Sequence, residues 1–432
     1  MLITMTNTSR RMFLQKSGLA SLAILLQAES WGRNFQSSIS KYENMDDESL
    51  SSNEDFWSNV QQAYTHSGGI INLNNGGVSP SPKVVQDAMK RYHDMCNEAP
   101  SYYMWRILDQ GREPLRERIA MLAGVQNEEI AIVRNTSEAL ETAIFGLELK
   151  KGDEVVLAKQ DYPNMINAWK QREKRDGIKL VWVDLDLPST DNRYLAESYI
   201  EKFTDKTKVV HITHIINWNG QILPVRTIAD KAKEMNIEVM VDGAHSFAHF
   251  EFSVKDLNCD YFGTSLHKWL SSTIGTGFLY VRKEKIKNLY PLFAVDNPAK
   301  DDIRKFEAQG TRPFFIEQAT EKAIDFYNML GAKRKEARLN FLKNYWIEQV
   351  VDLPNIIINT PLKRGFSCAI ANIGFKDKNH EDLDKYLFDK YKIHTVSINW
   401  ENIKGVRITP NVYTTTENLD RLVDGIRKFA NS

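Results

Sequence analysis

Short apolar runs alternate with amphipathic stretches through the middle of this chain. Seven runs of four or five residues are predicted as strands: residues 130–133, 154–157, 179–183, 209–213, 238–241, 260–263 and 277–281. Amphipathic segments among them are predicted as helices: residues 136–147, 164–176 and 228–235. Short apolar strands separated by helices are typical of a mainly parallel sheet that is covered on both faces. The pattern therefore predicts an α/β domain built around such a sheet.

The pattern differs on either side of this core. Helices are predicted before it, at residues 55–67, 80–96 and 114–122. Beyond residue 316 come helices 317–330, 332–349 and 416–429, and strands near residues 366–371, 394–398 and 405–408. We therefore predict a large domain over residues 55–315, whose N-terminal segment contributes to a smaller α+β domain over residues 316–432.

The N-terminus has the layout of an export signal. Arg10 and Arg11 precede an apolar stretch at residues 19–26, which is far below the ~20 residues needed to span a bilayer. A basic region before a short apolar one is typical of signal peptides, and the arginine pair resembles a twin-arginine (Tat) signal. We predict a signal over residues 1–30, a linker over residues 31–54 and a periplasmic location without a membrane anchor. A frayed basic N-terminus on a cytoplasmic protein is the alternative.

The composition narrows the classes of function. Hydrophobic residues make up 42% of the 432 residues, which is enough for a large buried core. The 56 basic and 56 acidic residues cancel, and phosphate neutralisation needs a net basic face, so nucleic acid is excluded as the main partner. Cys96, Cys259 and Cys368 are scattered and odd in number, and they indicate neither a disulfide framework nor a thiolate metal site.

Polar residues follow two of the predicted strands, at the edge where ligands bind in such sheets. Thr136 and Ser137 open the helix after strand 130–133. A helix N-terminus with hydroxyls can bind a phosphate, although an ordinary helix cap uses the same residues. Asp242 follows strand 238–241 and precedes two small residues, which leave room for a flat ligand; a turn aspartate is the alternative.

A lysine follows the next predicted strand. Lys268 lies in Ser-Leu-His-Lys, beside a hydroxyl and an imidazole, where a desolvated amine could form a Schiff base; a surface lysine is the alternative. A Schiff-base lysine, a carboxylate for a pyridinium nitrogen and a phosphate-binding helix start are together what pyridoxal 5'-phosphate (PLP) requires. The combination of Lys268, Asp242 and Thr136 therefore predicts a PLP site.

The ordered set of motifs resembles the class V aminotransferases, PLP-dependent enzymes of fold type I, in the isopenicillin N epimerase-like branch related to cysteine desulfurases. The resemblance covers the chain from about residue 72, and its motifs are Asp-Tyr-Pro (161–163), Asn-Trp-Asn-Gly (217–220), Asp-Gly-Ala-His (242–245), Ser-Leu-His-Lys (265–268), Gly-Thr-Arg-Pro (310–313) and Val-Arg-Ile-Thr-Pro (406–410). It implies a large domain with a mainly parallel seven-stranded sheet, a smaller C-terminal α+β domain and PLP as the cofactor.

The resemblance also implies roles for individual residues at the cofactor. Lys268 would hold PLP covalently, and Asp242 would pair with its pyridinium nitrogen. His245 and Asn217 would lie near its phenolic oxygen, and Tyr162 would stack on its ring. The phosphate would be bound by four further residues: Thr136, Ser137, Ser265 and His267.

Further residues would bind the substrate or a second subunit. Arg407 would bind the α-carboxylate of an amino-acid substrate, and a guanidinium suits this role because it binds carboxylates bidentately. Asn74, Asn75 and Gly76 resemble the segment that lines the substrate mouth. Thr311 would reach the phosphate bound to a neighbouring subunit, which implies a homodimer.

The leading hypothesis is chemistry at the Cα of an amino acid or an amino-acid-ended compound, by transamination or epimerisation. Desulfurases carry a nucleophilic cysteine before the counterpart of Arg407. Residues 394–401 contain no cysteine and Cys368 is predicted in the core, so persulfide formation is not expected. A C–S or β-lyase related to the desulfurases, and a non-catalytic PLP-binding protein of the same fold, are the alternatives.

Four histidines raise a different hypothesis, a metal site. His211, His214, His245 and His249 have spacings seen among metal ligands, but positions 211 and 214 of one strand point to opposite faces of the sheet. A shared site is therefore not expected, and no metal is predicted.

Overall fold

The computed structural model of the protein describes residue 37, residues 40–42 and residues 44–432. The predicted signal at residues 1–30, with its arginine pair, lies outside the described residues. Part of the segment predicted as a linker is folded. Helix α1 (Asp47–Ser51) packs against residues 332–347, and Leu50 in its last turn is fully buried.

Several helices and one short strand lead into the central sheet. They are α2 (Glu54–Gln61), β1 (Ile71–Asn72), α3 (Lys83–Glu98), α4 (Pro100–Tyr102) and α5 (Arg112–Ala123). Helix α2 ends earlier than the predicted helix at residues 55–67. The chain turns after Gln61, and this turn places Ala63 and Tyr64 in the core, where each is 2% exposed.

Seven strands form the central sheet, with bounds β2 (Ile130–Val133), β3 (Glu154–Ala158), β4 (Lys179–Val183), β5 (Thr207–Thr213), β6 (Glu238–Asp242), β7 (Tyr261–Ser265) and β8 (Gly277–Val281). Their spatial order is β2-β8-β7-β6-β5-β3-β4. Strands β3 to β7 run parallel to one another, and β8 lies antiparallel between β2 and β7. The predicted α/β fold with a mainly parallel sheet is confirmed, and its strand order places the carboxyl ends of β6 and β7 side by side.

Helices cover both faces of this sheet. They are α6 (Thr136–Gly146), α7 (Pro163–Asp176), α8 (Asn192–Ile200), α9 (Val225–Glu234) and α10 (Lys283–Ile286). Successive residues of β3 show why both faces need a cover: Val155 and Leu157 pack into one hydrophobic cluster, and Val156 and Ala158 pack into another. In the described part of the chain, no helix is long and apolar enough to cross a membrane.

The C-terminal part of the chain holds a second, smaller sheet. Its elements are α11 (Phe314–Leu330), α12 (Ala332–Ile347), β9 (Ile356–Ile358), β10 (Ala371–Phe375), α13 (His380–Tyr391), β11 (Ile393–His394), β12 (Val396–Trp400), β13 (Ile403–Ile408) and α14 (Thr416–Ala430). Four strands pair antiparallel in the order β12-β13-β10-β9, and β11 pairs in parallel with β1. The segment after β1 therefore lies beside the C-terminal strands, where Asn74 forms a bridge with Thr409.

Some elements differ from the sequence prediction. The strand predicted near residues 366–371 is wrong in position, because β10 begins only at Ala371. The residues before it cross the core as an irregular segment, in which the backbone N–H of Ala369 donates to His249 instead of a strand partner. Helices α8 and α13 are not predicted from the sequence, although each begins at a capping side chain.

Candidate active site

The predicted cofactor residues come together at the carboxyl edge of the central sheet. Asp242 is the last residue of β6, Ser265 is the last residue of β7, and Thr136 is the first residue of α6. Neighbouring parallel strands end at the same edge, and Asp242 pairs in register with Gly263 of β7. Lys268 follows three residues after the end of β7. The fold therefore gathers a lysine, a carboxylate and a helix start around one space.

Lys268 has the properties of a nucleophilic amine. Its Nζ lies 3.0 Å from Nε2 of His245. Loss of water around the ammonium lowers the pKa of Lys268 to about 8; the carboxylate of Asp242 opposes this shift and the charge of Arg407 adds to it. A substantial fraction of Lys268 is therefore neutral at mildly alkaline pH, and the neutral amine is the form that attacks a carbonyl carbon.

Asp242 is a buried carboxylate that forms no ion pair within 4 Å among the described residues. It is 3% exposed, and its Oδ1 accepts a 2.9 Å hydrogen bond from the backbone N–H of Ala244. Burial raises the pKa of Asp242, against the effects of this hydrogen bond and of Lys268. At Gly243 an added Cβ would lie 1.9 Å from the ring of Phe262, so only glycine fits this turn. A buried carboxylate is stabilised by a cation, and the site fits the pyridinium nitrogen of PLP.

The start of α6 and the end of β7 form a site for an anion. The Oγ of Ser265 accepts a 2.9 Å hydrogen bond from the backbone N–H of Thr136, and the two hydroxyls lie 2.7 Å apart. The Oγ of Ser137 accepts a 3.4 Å hydrogen bond from Asn164. The Nδ1 of His267 is buried without a hydrogen-bond partner among the described residues, and burial lowers the pKa of this ring to about 4. Hydroxyls and an unpartnered imidazole nitrogen at a helix start fit a phosphate group.

Three further predicted residues lie beside Lys268 and Arg407. His245 contacts Lys268 through Nε2, as described above. The side-chain oxygen of Asn217 is buried and has no hydrogen-bond partner in the described structure. The ring of Tyr162 is 40% exposed. Tyr162 lies near Arg407, because a phenolate at Tyr162 would raise the pKa of that guanidinium. An unpartnered amide oxygen and an open aromatic face are features of a site that accepts a ligand.

Arg407 is a buried guanidinium that forms no ion pair within 4 Å in the described part of the chain. It is 7% exposed, and it donates hydrogen bonds to the carbonyl of Asn217 (3.1 Å) and to Oδ1 of Asn74 (2.9 Å). Its Nε is buried without a hydrogen-bond partner among the residues that the structure describes. Burial lowers the pKa of Arg407 to about 10, with Tyr162 acting in the opposite direction. An arginine in these surroundings is suited to bind an anion that comes from outside the chain.

The structure brings Asn74 to Arg407 but uses Asn75 within the fold. Asn75 is fully buried, and its Nδ2 donates to the carbonyl of Thr409 (2.9 Å). Its Oδ1 accepts a 2.6 Å hydrogen bond from the hydroxyl of Tyr413. These hydrogen bonds attach the segment to the end of β13, so the amide of Asn75 is occupied by the protein itself.

Thr311 makes no hydrogen bond with the other predicted residues in the described structure. It is exposed on the loop before α11. The next residue, Arg312, donates to Glu317 (3.0 Å) and to Asp109 (2.6 Å), and Arg112 donates to the same Glu317. This ion-pair network holds the loop in place and leaves the Thr311 hydroxyl accessible from outside the subunit.

Two buried groups next to the site were not identified from the sequence. Asp161 accepts a 2.7 Å hydrogen bond from Thr213, and burial raises the pKa of Asp161 to about 7. It belongs to the Asp-Tyr-Pro motif, and this motif is the sequence signal for its position at the site. Trp269 is fully buried and donates to Nδ1 of His245 at 3.4 Å. Its place directly after Lys268 is the only sequence signal for this contact.

The histidines of the metal hypothesis do not converge. His211 packs against Trp169 on one side of the sheet, and His214 packs against Phe250 and Phe252 on the other. Across residues 44–432 and the few described before them, no group of three or more His, Cys, Asp or Glu side chains is placed to hold a metal ion.

A nucleophilic lysine, a buried carboxylate and an anion site at the carboxyl edge of a mainly parallel sheet define a PLP-dependent enzyme of fold type I. The comparison with protein families agrees with this class. Residues 71–422 match the model of the family described as Aminotransferase class-V, and the chain belongs to this family. Its cofactor is pyridoxal 5'-phosphate.

Similar proteins include isopenicillin N epimerases and cysteine desulfurases. Isopenicillin N epimerase of Streptomyces clavuligerus is 25% identical over 375 residues, which are 83% of this chain and 94% of the relative. A probable cysteine desulfurase of Halalkalibacterium halodurans is 27% identical over 384 residues, 83% of this chain and 93% of the relative. At these identities the chain is similar to both groups, and the predicted branch is confirmed at the level of the family.

Solved structures show the same fold. The cysteine desulfurase of Thermococcus onnurineus NA1 superposes with a TM-score of 0.76 at 23% identity, over 87% of this chain and 98% of that one. A variant of C-DES with glycine covalently linked to its PLP cofactor gives a TM-score of 0.76 at 18% identity, over 86% of this chain and 99% of that one. These likenesses confirm the predicted fold type I architecture.

Proposed function

We propose that this protein acts at the Cα of a free amino acid, or of a compound that ends in one, as an aminotransferase or an epimerase. The observation that carries the proposal is Arg407, a buried guanidinium that has no carboxylate partner in the described part of the chain and that lowers the pKa of Lys268. An α-amino acid has a carboxylate for Arg407 and an α-amino group within reach of the cofactor site. The similarity to isopenicillin N epimerase supports the same class of substrate.

In this proposal each residue has a distinct task. When bound, PLP draws electrons away from the substrate's Cα and so weakens the bonds to that carbon. Lys268 would hold the cofactor, and its neutral amine would take the Cα proton as a base. Asp242 would pair with the ring nitrogen, and Tyr162 would cover one face of the ring. His245 and Asn217 would lie near the phenolic oxygen.

The phosphate of the cofactor has its own set of proposed ligands at the start of α6. They are the three hydroxyls and the imidazole described above: Thr136, Ser137, Ser265 and His267. Together they would hold PLP in one orientation, with its ring between Asp242 and Lys268.

The three cysteines are poorly suited to desulfurase chemistry. All of them are buried. Burial raises the pKa of Cys259 and of Cys368 to about 12 and also raises the pKa of Cys96. A buried, protonated thiol is a weak nucleophile, so persulfide formation at a cysteine is not part of the proposal.

The experiment that tests the proposal is exchange of the Cα proton. The purified enzyme with PLP is incubated in D2O with L- and D-amino acids one at a time, and loss of the Cα–H signal is followed by NMR. We expect exchange with at least one amino acid, and none with Lys268→Ala. Formation of a keto acid would then identify transamination, inversion at Cα would identify epimerisation, and release of a β-substituent would identify a lyase. A PLP-loaded enzyme that exchanges no amino acid would refute the proposal and favour a non-catalytic binding protein.

We also propose a homodimer in which Thr311 contacts the phosphate bound to the neighbouring subunit. The accessible Thr311 supports it, as does the exposure of large apolar side chains: Tyr102 (57%), Trp105 (41%), Ile274 (70%) and Tyr290 (56%). Sedimentation should give twice the chain mass, and Thr311→Ala should weaken PLP binding about 10- to 150-fold through the loss of one hydrogen bond to a charged group. A monomer that binds PLP normally would exclude this arrangement.

Export through a Tat signal to the periplasm remains our proposal for the location. It rests on the arginine pair and the short apolar stretch of the sequence. Replacing both Arg10 and Arg11 by lysine should retain the protein in the cytoplasm, as measured by cell fractionation. Unchanged export of this variant would remove the proposal.

A further inference from the structure

The two ring nitrogens of His245 face two different groups. Its Nε2 lies 3.0 Å from Nζ of Lys268, on the side of the cofactor site. Its Nδ1 accepts a 3.4 Å hydrogen bond from the indole nitrogen of Trp269, on the side of the core. His245 itself is 5% exposed, so no bulk water competes for either nitrogen.

The indole fixes where the proton of His245 can be. A tryptophan N–H can only donate a hydrogen bond, so the nitrogen that it faces must carry a lone pair. Burial holds the pKa of His245 well below its usual range, and the charges of Lys268, Arg407, His249 and His267 act in the same direction. The ring is therefore neutral and has one proton. When Lys268 is neutral, its amine can accept a hydrogen bond at 3.0 Å, and the proton of His245 is then on Nε2, directed at the cofactor side.

Trp269 is itself held rigidly. The ring of His249 stacks on the indole with centroids 3.6 Å apart and planes 10° apart. Nε2 of His249 accepts a 2.9 Å hydrogen bond from the backbone N–H of Ala369, so its proton must be on Nδ1, which donates to the carbonyl of His245 at 2.8 Å. Lys335, also buried, donates from Nζ to the carbonyl of Trp269.

We infer that Trp269 is a positioning residue that keeps His245 in the Nε2–H form, with His249 holding the indole in place. His245 then acts as a hydrogen-bond donor on the cofactor side and cannot accept a proton there. A donor at this position stabilises an anionic oxygen, which fits the phenolic oxygen of PLP. The role at the cofactor rests on the proposed function, whereas the position of the proton does not.

The first test reads the proton position without turnover. The full chain is labelled with ¹⁵N in the histidine side chains and studied with PLP bound, or without PLP at about pH 9.5, where Lys268 is neutral. The protonated nitrogen of each ring is then identified by NMR. The chain has nine histidines, and His245 is assigned as the signal lost in His245→Gln. We expect Nε2 to be protonated and Nδ1 to be unprotonated. Protonation of Nδ1 in the unmodified protein would overturn the inference.

The second test removes the indole N–H and uses a matched control. Trp269→Phe deletes the donor, and Trp169→Phe makes the same change at another fully buried tryptophan, whose Nε1 has no hydrogen-bond partner in the described structure. We expect both proton positions at His245 in Trp269→Phe, with a fall in kcat of about 3- to 10-fold and little change in KM. Trp169→Phe should retain the single form and the original kcat.

The outcomes of the two tests are separable. A single Nε2–H form in folded Trp269→Phe would overturn the role of the indole, and so would equal effects of both substitutions. If Trp269→Phe does not fold, the proton position in the unmodified protein decides. An enzyme that turns over no amino acid would refute the proposed function but would leave the NMR result for His245 intact.

Discussion

Replacing Arg407 by methionine should separate binding from stability. Burial lowers the pKa of this guanidinium to about 10, and at 1.36 kcal/mol per pKa unit the folded protein loses about 3 kcal/mol by holding the charge out of water. Its hydrogen bonds to Asn217 and Asn74, each with a net value of about 1–2 kcal/mol, offset much of this loss. We therefore expect the thermal midpoint of Arg407→Met to be unchanged or slightly higher.

The effect of Arg407→Met on substrate binding should be large. Two charge-assisted hydrogen bonds between a guanidinium and a carboxylate contribute about 3–5 kcal/mol, which corresponds to about 10²- to 10⁴-fold in kcat/KM. The assay compares kcat/KM for the best amino-acid substrate with the binding of an amine of the same side chain that lacks the carboxylate, followed through the cofactor's absorbance. Binding of the amine should change by less than about 3-fold, because it has no group for Arg407 to contact.

Arg338→Met is the matched control, because Arg338 is also buried but is paired with a carboxylate of the fold. It donates to the carboxylate of Glu54 (2.6 Å) and to the carbonyls of Ser51 and Thr414 (2.9 Å each). Removing one partner of such a pair costs about 3–5 kcal/mol, so this variant should lose stability and keep its kcat/KM. If Arg407→Met binds carboxylates normally, or loses as much stability as Arg338→Met, the assignment of Arg407 is refuted.

Three further predictions concern Lys268, Lys335 and Gly220. Burial lowers the pKa of Lys268 to about 8, so the rate at which the cofactor-free enzyme binds PLP covalently should rise with pH until about 8 and then level off. The rate is measured by stopped-flow absorbance, and a rise that continues to about pH 10 would contradict this prediction. Burial lowers the pKa of Lys335 to about 7, whereas the unfolded chain keeps this proton up to about pH 10. Folding must therefore release the proton or bury the charge, and this cost in stability grows as the pH falls from about 10 toward 7. Lys335→Met should therefore raise the thermal midpoint more at about pH 7 than at about pH 9.5, and equal changes at both pH values would count against it. Gly220 has φ +81°, and a Cβ there would lie 2.3 Å from the carbonyl oxygen of Ile370. Gly220→Ala should therefore reduce the free energy of unfolding by about 2 kcal/mol or more, and an unchanged thermal midpoint would disprove this.

The apolar runs were sufficient to locate most of the central sheet. Strands β2, β4 and β8 begin and end at the predicted residues. Both faces of such a strand are covered, so nearly all of its residues are apolar, and the run itself marks the strand. Helix α8 was missed because it is only nine residues long and only Leu195, Ala196 and Tyr199 are fully buried in it. A short amphipathic helix of this kind resembles a loop in the sequence.

The cofactor site was also accessible from the sequence, in part. Asp242 ends β6 and Lys268 lies three residues after β7, and strand ends meet at one edge by the geometry of a parallel sheet. The pairing of Asn74 with Arg407 is of a different kind, since these residues are 333 positions apart. They meet only because the segment after β1 forms a bridge with Thr409, directly after β13. Their positions could be inferred from the resemblance, but their hydrogen bond could not.

Local order along the chain therefore determined the class of fold, the order of the motifs and the residues that follow each strand. Tertiary packing alone decided that Asn75 is bound to Thr409 and Tyr413, and that the indole of Trp269 faces His245. The physical reason is that burial of one element imposes a periodic pattern on its own residues. A contact between two elements depends instead on how both are oriented in the folded core, and no short stretch of sequence records that orientation.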